Sequence, residues 1–271
     1  MPRTMTRILI VLVVFFGIFA TAPAADPTAP TLARIAKSGE LRVGTSGAQP
    51  PFSVKSKEGK LIGYEIDLAM LLAESMGVKL TLVEKPFPEL LSALEKGEVD
   101  AVMSGMTMTL ERNMRAAFVG PYIVSGKSIL TKDETLARIE EAEQLDQSQL
   151  KLVALDKSTS QQFVEQLMPQ AQLTLTQSYD EAIQMVLDDK AGAMVADFPI
   201  CVISVLRHAD KGLVTLVEPL TLEPIGIAVA PGDALFVNLI ENYLTALDGT
   251  GLLDALELKW FEDGSWLIQV P

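Results

Sequence analysis

An arginine in the first turn of a helix opposes the positive end of the helix dipole, so Arg112 needs a reason to stand where it does. In Ser104-Gly105-Met106-Thr107-Met108-Thr109-Leu110-Glu111-Arg112, the first four residues leave an apolar stretch as a loop and Thr109 is a suitable N-cap. A bound carboxylate supplies the reason, because a planar guanidinium grips it through two parallel hydrogen bonds while loop amides add others. From spacing alone, a solvated surface arginine is an equal alternative. Asp197 poses the opposite question. It ends the apolar run Ala193-Met194-Val195-Ala196, an expensive place for a carboxylate without a partner, unless it caps the helix beginning near Pro199. Ser158 and Thr159 follow the apolar run from Leu152 to Leu155 and open a helix at Ser160. Amides there point towards an anion, and simple helix capping competes with that reading.

The elements that carry these residues alternate. A strand over Leu41 to Thr45 precedes Ile66, Ala69, Met70, Ala73 and Met76, which recur at helical spacing and stop at Gly77. Leu80 to Val83 then reads as a strand, Glu89 to Lys96 as a helix stopped by Gly97, and Ala101 to Met103 as a buried strand. This βαβ rhythm predicts an α/β fold with mostly parallel sheets flanked by helices. The unit recurs: a helix around Leu90, Leu91 and Leu94 runs into Val99 to Gly105, and a helix around Ile183, Val186 and Leu187 runs into Ala193 to Asp197. Two similar lobes follow, with a cleft beyond the carboxyl ends of their strands. Extended, helix-poor segments at Pro121 to Gly126 and Glu218 to Pro224 mark two crossings. Lobe one is therefore expected over 25–123 and 223–271, and lobe two over 124–222, linked in a way that permits hinge closure.

Residues 1–24 read as a secretory signal: Arg3 and Arg7, an apolar run from Ile8 to Ala20, and Ala22-Pro23-Ala24 for cleavage. The run is shorter than the roughly 20 residues that span a bilayer. No cysteine stands at the cleavage site, so no lipid anchor is expected. Removing two arginines and no acids takes the formal charge from −13 to −15, which argues against nucleic acid as a partner. With one histidine and the lone Cys201, neither a metal site nor a cysteine–histidine centre is indicated, and no cofactor is expected. Met103, Met106 and Met108 read as core rather than copper ligands, and Glu140-Glu141-Ala142-Glu143 as a solvated helical face.

Asp100 to Arg112, with Pro50-Pro51-Phe52, Gly63 to Ala69, Asp248 to Leu253 and Lys259-Trp260-Phe261, resembles the periplasmic solute-binding proteins of polar amino acid ABC transporters. That resemblance implies a two-lobed periplasmic binding fold, export to the periplasm, and delivery of a captured amino acid to a membrane permease. Arg112 would then take the ligand α-carboxylate, with Thr107, Ser158 and Thr159. Asp197 would take the α-ammonium, with the Gly105 carbonyl and the Thr107 hydroxyl. Ser104, Phe52 and Phe87 would line the pocket, core packing being the alternative for both phenylalanines. Two positions depart from the family: Gln49 stands where an aromatic ring is common, and Ser46 where binders of cationic amino acids often have an acid. Both favour a neutral, polar or small ligand. Lys157 stands where glycine is usual. The same fold hosts cyclohexadienyl dehydratases and ligand-sensing proteins, so an enzyme and a soluble sensor are the alternatives. A dehydratase needs a proton-donating acid in the cleft; the sequence alone marks no residue for that task, with Glu223 or Asp156 as the exceptions that would overturn this.

Overall fold

Two mixed five-stranded sheets organise the chain. The computed structural model describes residues 29–271, so the leader expected over 1–24 lies outside the described residues. Lobe one begins with α1 (Pro30–Ser38), β1 (Glu40–Thr45), β2 (Ala48–Gln49), β3 (Ser53–Lys55), β4 (Leu61–Ile62), α2 (Tyr64–Ser75), β5 (Lys79–Glu84), α3 (Phe87–Glu95), β6 (Ala101–Val102), α4 (Leu110–Asn113) and β7 (Ala117–Ser125). Lobe two contains β8 (Lys127–Thr131), β9 (Lys151–Leu155), α5 (Thr159–Leu167), β10 (Gln172–Thr176), α6 (Tyr179–Leu187), β11 (Ala193–Asp197), α7 (Phe198–Arg207) and β12 (Val214–Thr215). The chain then returns through β13 (Glu223–Val229), α8 (Ala234–Gly249) and α9 (Leu252–Glu257).

The first sheet has the order β5-β1-β6-β13-β7 and the second β10-β9-β11-β8-β12. In each, three strands are parallel and the last two join antiparallel. The parallel part is the predicted βαβ rhythm. The antiparallel part belongs to the strands that link the lobes, which enter one sheet as they leave the other. β2, β3 and β4 form a small third sheet that the sequence reading did not anticipate.

The crossing is tight. A β-carbon on Gly126, between β7 and β8, would sit 1.9 Å from the Thr221 carbonyl oxygen on the returning segment, so only glycine lets the two links run side by side. Each sheet is buried on both faces. In lobe two, Ile129, Leu152, Ala193 and Val195 pack with Phe163 and Leu145, while Leu130, Val153, Met194 and Ala196 face the larger core shared with lobe one. Met103 and Met106 are core residues, as expected. Asp100, at the start of the signature run, is a structural clamp: it accepts from Arg34 Nε and Arg42 Nη2, each at 2.8 Å. The acidic stretch near Glu141 is a single 3₁₀ turn, Ala142–Leu145, rather than a long helical face; Ala142 and Leu145 point inward and Glu141 closes a capping box with Gln144.

Candidate functional site

Arg112 lies on α4, whose Thr109 cap accepts the Arg112 amide at 3.1 Å. Its guanidinium donates to the Thr107 carbonyl at 2.9 Å and, across the seam between the lobes, to the Lys157 carbonyl at 3.3 Å. It also rests over the Phe87 ring, 5.7 Å from the centroid. Burial pulls its pKa below the ordinary value, against the fields of Asp197 and Glu223. The arginine thus faces the cleft with its fork bound to carbonyls, neutral acceptors that leave its charge uncompensated.

The acidic side of the seam is more crowded than the sequence reading allowed. Asp197 is 4% exposed and makes no side-chain cap to α7, so the capping alternative does not describe it. Its carboxylate accepts from Lys127 Nζ at 2.5 Å. The same ammonium lies 2.8 Å from Glu223 Oε2 and 2.6 Å from Thr159 Oγ1. Glu223 Oε2 also accepts from Thr107 at 2.9 Å and Thr159 at 3.0 Å. Burial raises the Asp197 pKa, with Lys127 opposing it. For Glu223, burial also pushes upward, but the Lys127 charge and the bonds from Lys127, Thr107 and Thr159 outweigh it and hold the carboxyl below its usual range.

The remaining predicted residues divide. Ser46 Oγ donates to Gln49 Oε1 at 2.7 Å, and Ser104 donates to the same oxygen, so the three form one satisfied cluster. Gly105 has the left-handed φ of 58° that favours glycine, and its amide donates to Glu65 Oε1 at 2.7 Å. Ser158 behaves as a cap, accepting the Gln161 amide at 3.1 Å and donating to the Leu155 carbonyl at 2.6 Å. Lys157, at the position where glycine is usual, has a φ of 55°. Phe52 is fully buried and packs edge-on against Phe261, 5.5 Å between centroids, within the core of lobe one. Phe87 lines both cavities of the cleft.

Phe87 borders both of those cavities. One, of about 310 Å³, is bounded by Ser46, Gln49 and Phe87 from lobe one and Leu155, Ser178 and Tyr179 from lobe two. The other, of about 450 Å³, is bounded by Phe87, Arg112, Lys157 and Ser158 among others. Lys127 and Tyr179 are the residues that sequence reasoning missed. Tyr179 opens α6, is buried, and turns its hydroxyl to Gln49; burial, then the Asp197 charge, raises its pKa well above normal. Lys127 left no signal in its neighbours; only the structure shows that all five positions of β8 are buried, so the lysine that begins it must find acids inside. Among the described residues no group of three or more His, Cys, Asp or Glu side chains is placed to hold a metal.

A model of the bacterial extracellular solute-binding proteins, family 3, matches residues 41–263. The chain is 30% identical to a cyclohexadienyl dehydratase of Pseudomonas aeruginosa over 85% of this chain and 86% of that protein. It is 27% identical to the ABC transporter glutamine-binding protein GlnH of Bacillus subtilis, over 86% of this chain and 85% of that one. Among solved structures, an ancestral amino acid-binding protein described as a precursor of cyclohexadienyl dehydratase superposes with a TM-score of 0.78 at 36% identity, covering 86% of this chain and 99% of the other. Among the described residues no helix is long and apolar enough to cross a membrane.

Proposed function

The chain belongs to the bacterial extracellular solute-binding proteins, family 3, and from that premise we propose that it captures a free amino acid between its lobes in the periplasm and hands it to the membrane permease of an ABC transporter. One observation carries the reading. Arg112, its fork held by neutral carbonyls, lies at the seam within the fields of Asp197 from lobe two and Glu223 from the returning link, so opposite charges meet where the lobes meet. A zwitterion spanning that seam favours closure, because each of its ends is held by a different lobe. The smaller cavity favours a neutral, polar or small side chain: Ser46, Gln49 and Tyr179 offer hydroxyls and an amide, and Phe87 and Leu155 apolar surface.

A thermal-shift screen against the amino acids and common carboxylates tests this. A ligand at 100 times its Kd stabilises the folded chain by about 2.7 kcal/mol, which is read as a clear rise in melting temperature. Absence of a shift with every amino acid rejects the reading.

The dehydratase relative supports a second reading, a cleft enzyme acting on cyclohexadienyl acids. Glu223 is the acid positioned for it. Its carboxyl is held below the usual range by Lys127 and two threonine hydroxyls, which favours an ionised, structural anion over a proton donor. Incubation with arogenate and prephenate distinguishes the two, since turnover of either establishes the enzyme.

A further inference from the structure

Lys127 brings its own ammonium to the acids of the seam. An ammonium has three N–H donors, and Lys127 Nζ has three acceptors: Asp197 Oδ1 at 2.5 Å, Thr159 Oγ1 at 2.6 Å and Glu223 Oε2 at 2.8 Å. Its side chain is 1% exposed, so the ammonium is fixed inside the seam. The Thr107 and Thr159 hydroxyls both direct their protons to Glu223 Oε2. The acceptors that would receive a ligand ammonium are thus already engaged by the chain itself. Arg112 is outside that cluster: Nη1 and Nη2 each donate once, to the Thr107 and Lys157 carbonyls, which leaves the remaining N–H groups of the guanidinium for a carboxylate.

We propose that Lys127 is a resident occupant of the α-ammonium position, so that the cleft accepts 2-hydroxy and 2-oxo acids nearly as well as the corresponding amino acids. The inference rests on the capture reading above and refines its ligand class. Both ligand types present the same carboxylate to Arg112, so they differ only at Asp197. There an incoming ammonium meets a like charge on a shared carboxylate and must displace Lys127 towards Glu223, whereas a hydroxyl or carbonyl oxygen carries no charge and can accept from the lysine in place of the neutral Thr159 hydroxyl. Lys127 therefore removes the advantage that a lone Asp197 would confer on amino acids.

Titration calorimetry of the full mature chain with three matched pairs tests this: L-alanine and L-lactate, L-serine and L-glycerate, L-leucine and L-2-hydroxyisocaproate. The wild-type chain is expected to prefer the amino acid by less than tenfold in every pair that binds, or to prefer the hydroxy acid. Lys127→Met, which keeps an unbranched side chain in the buried path, is expected to widen the preference for the amino acid at least tenfold. A wild-type preference above tenfold overturns the assignment without recourse to a variant, as does a preference that Lys127→Met leaves unchanged. If no pair binds while some amino acid raises the melting temperature in the thermal-shift screen, this inference is overturned and the capture reading stands; if nothing in that screen binds, both fall.

Discussion

The hydroxyls of Thr107 and Thr159 meet at 3.2 Å across the seam, and both reach the same oxygen of Glu223. Thr107 leaves lobe one on the loop before α4, Thr159 opens α5 in lobe two, and Glu223 is the first residue of β13, where the chain re-enters lobe one. One carboxylate oxygen therefore joins both lobes and the returning link, and Lys127 adds its ammonium from the outgoing link. Closure and hinge geometry are coupled through a single charge-assisted cluster.

Glu223→Gln should weaken that coupling. The amide keeps the shape but removes the charge, leaving Lys127 with Asp197 as its one anionic partner. We expect a loss of about 1–3 kcal/mol in urea unfolding, the range for a buried polar group that loses a partner. Small-angle scattering should show a larger radius of gyration for the ligand-free variant than for the wild type. An unchanged radius would mean that closure does not depend on this carboxylate.

Arg112→Ala should leave the fold intact, because α4 is a single turn and the guanidinium bonds only to carbonyls. Binding of a carboxylate ligand should weaken by roughly 3–5 kcal/mol, the cost of leaving a buried charge unpaired. This corresponds to about two to four decades in affinity. Calorimetry with any ligand that raises the melting temperature measures it, and unchanged affinity removes Arg112 from the site.

The legible parts of this chain were those whose cause is local. The helical spacing from Ile66 to Met76, the stop at Gly77 and the apolar runs of β9 and β11 depend on neighbouring residues, and the α2 helix and the strands formed where those patterns put them. Arg112 stood out because a misfit with a helix dipole can be read within four residues, but α4 is a single turn in which Arg112 also lies in the last turn, so the structure does not display that misfit. Lys127 was not legible: Gly126 and Ser128 say nothing of the acids it meets, one of which lies 70 residues further on. The placement of Phe52 escaped for the same reason, since its core partner Phe261 comes from the far end of the chain. Ser158 carried two compatible readings, and the bond to the Gln161 amide is the one its geometry displays.

Lys157 adopts a φ of 55° in the turn between β9 and α5, where a β-carbon crowds the backbone. Lys157→Gly should relieve this strain at the expense of a more flexible unfolded chain, for a net gain of about 0.5–1 kcal/mol in urea unfolding. Lys157→Val should destabilise, because a branched side chain tolerates the conformation least. A glycine variant no more stable than the wild type would show that the contacts of Lys157, including its amide bond to Gln161 Oε1 at 2.8 Å, outweigh the strain.

Glu65→Gln should alter how stability depends on pH. Glu65 is wholly buried in the first turn of α2; its Oε1 accepts the Gly105 amide and the Tyr122 hydroxyl, and its Oε2 has no hydrogen-bond partner among the described residues. Burial pushes its pKa up to about 7 from an ordinary value of 4.5, despite the opposing pull of those two bonds. Between these values the folded chain holds a proton that the unfolded chain has released, so stability falls as pH rises. The contribution is complete below the unfolded value and exhausted above the folded one. A shift of this size amounts to about 3 kcal/mol over the window. Asp197 is shifted in the same direction in both proteins, so the wild type minus the variant isolates Glu65. Urea midpoints at pH 5, 6, 7 and 8 should show that difference declining steadily to pH 7 and levelling beyond it. A difference independent of pH would mean that Glu65 stays ionised throughout, and that the Gly105 loop is held by a carboxylate rather than by a neutral acid.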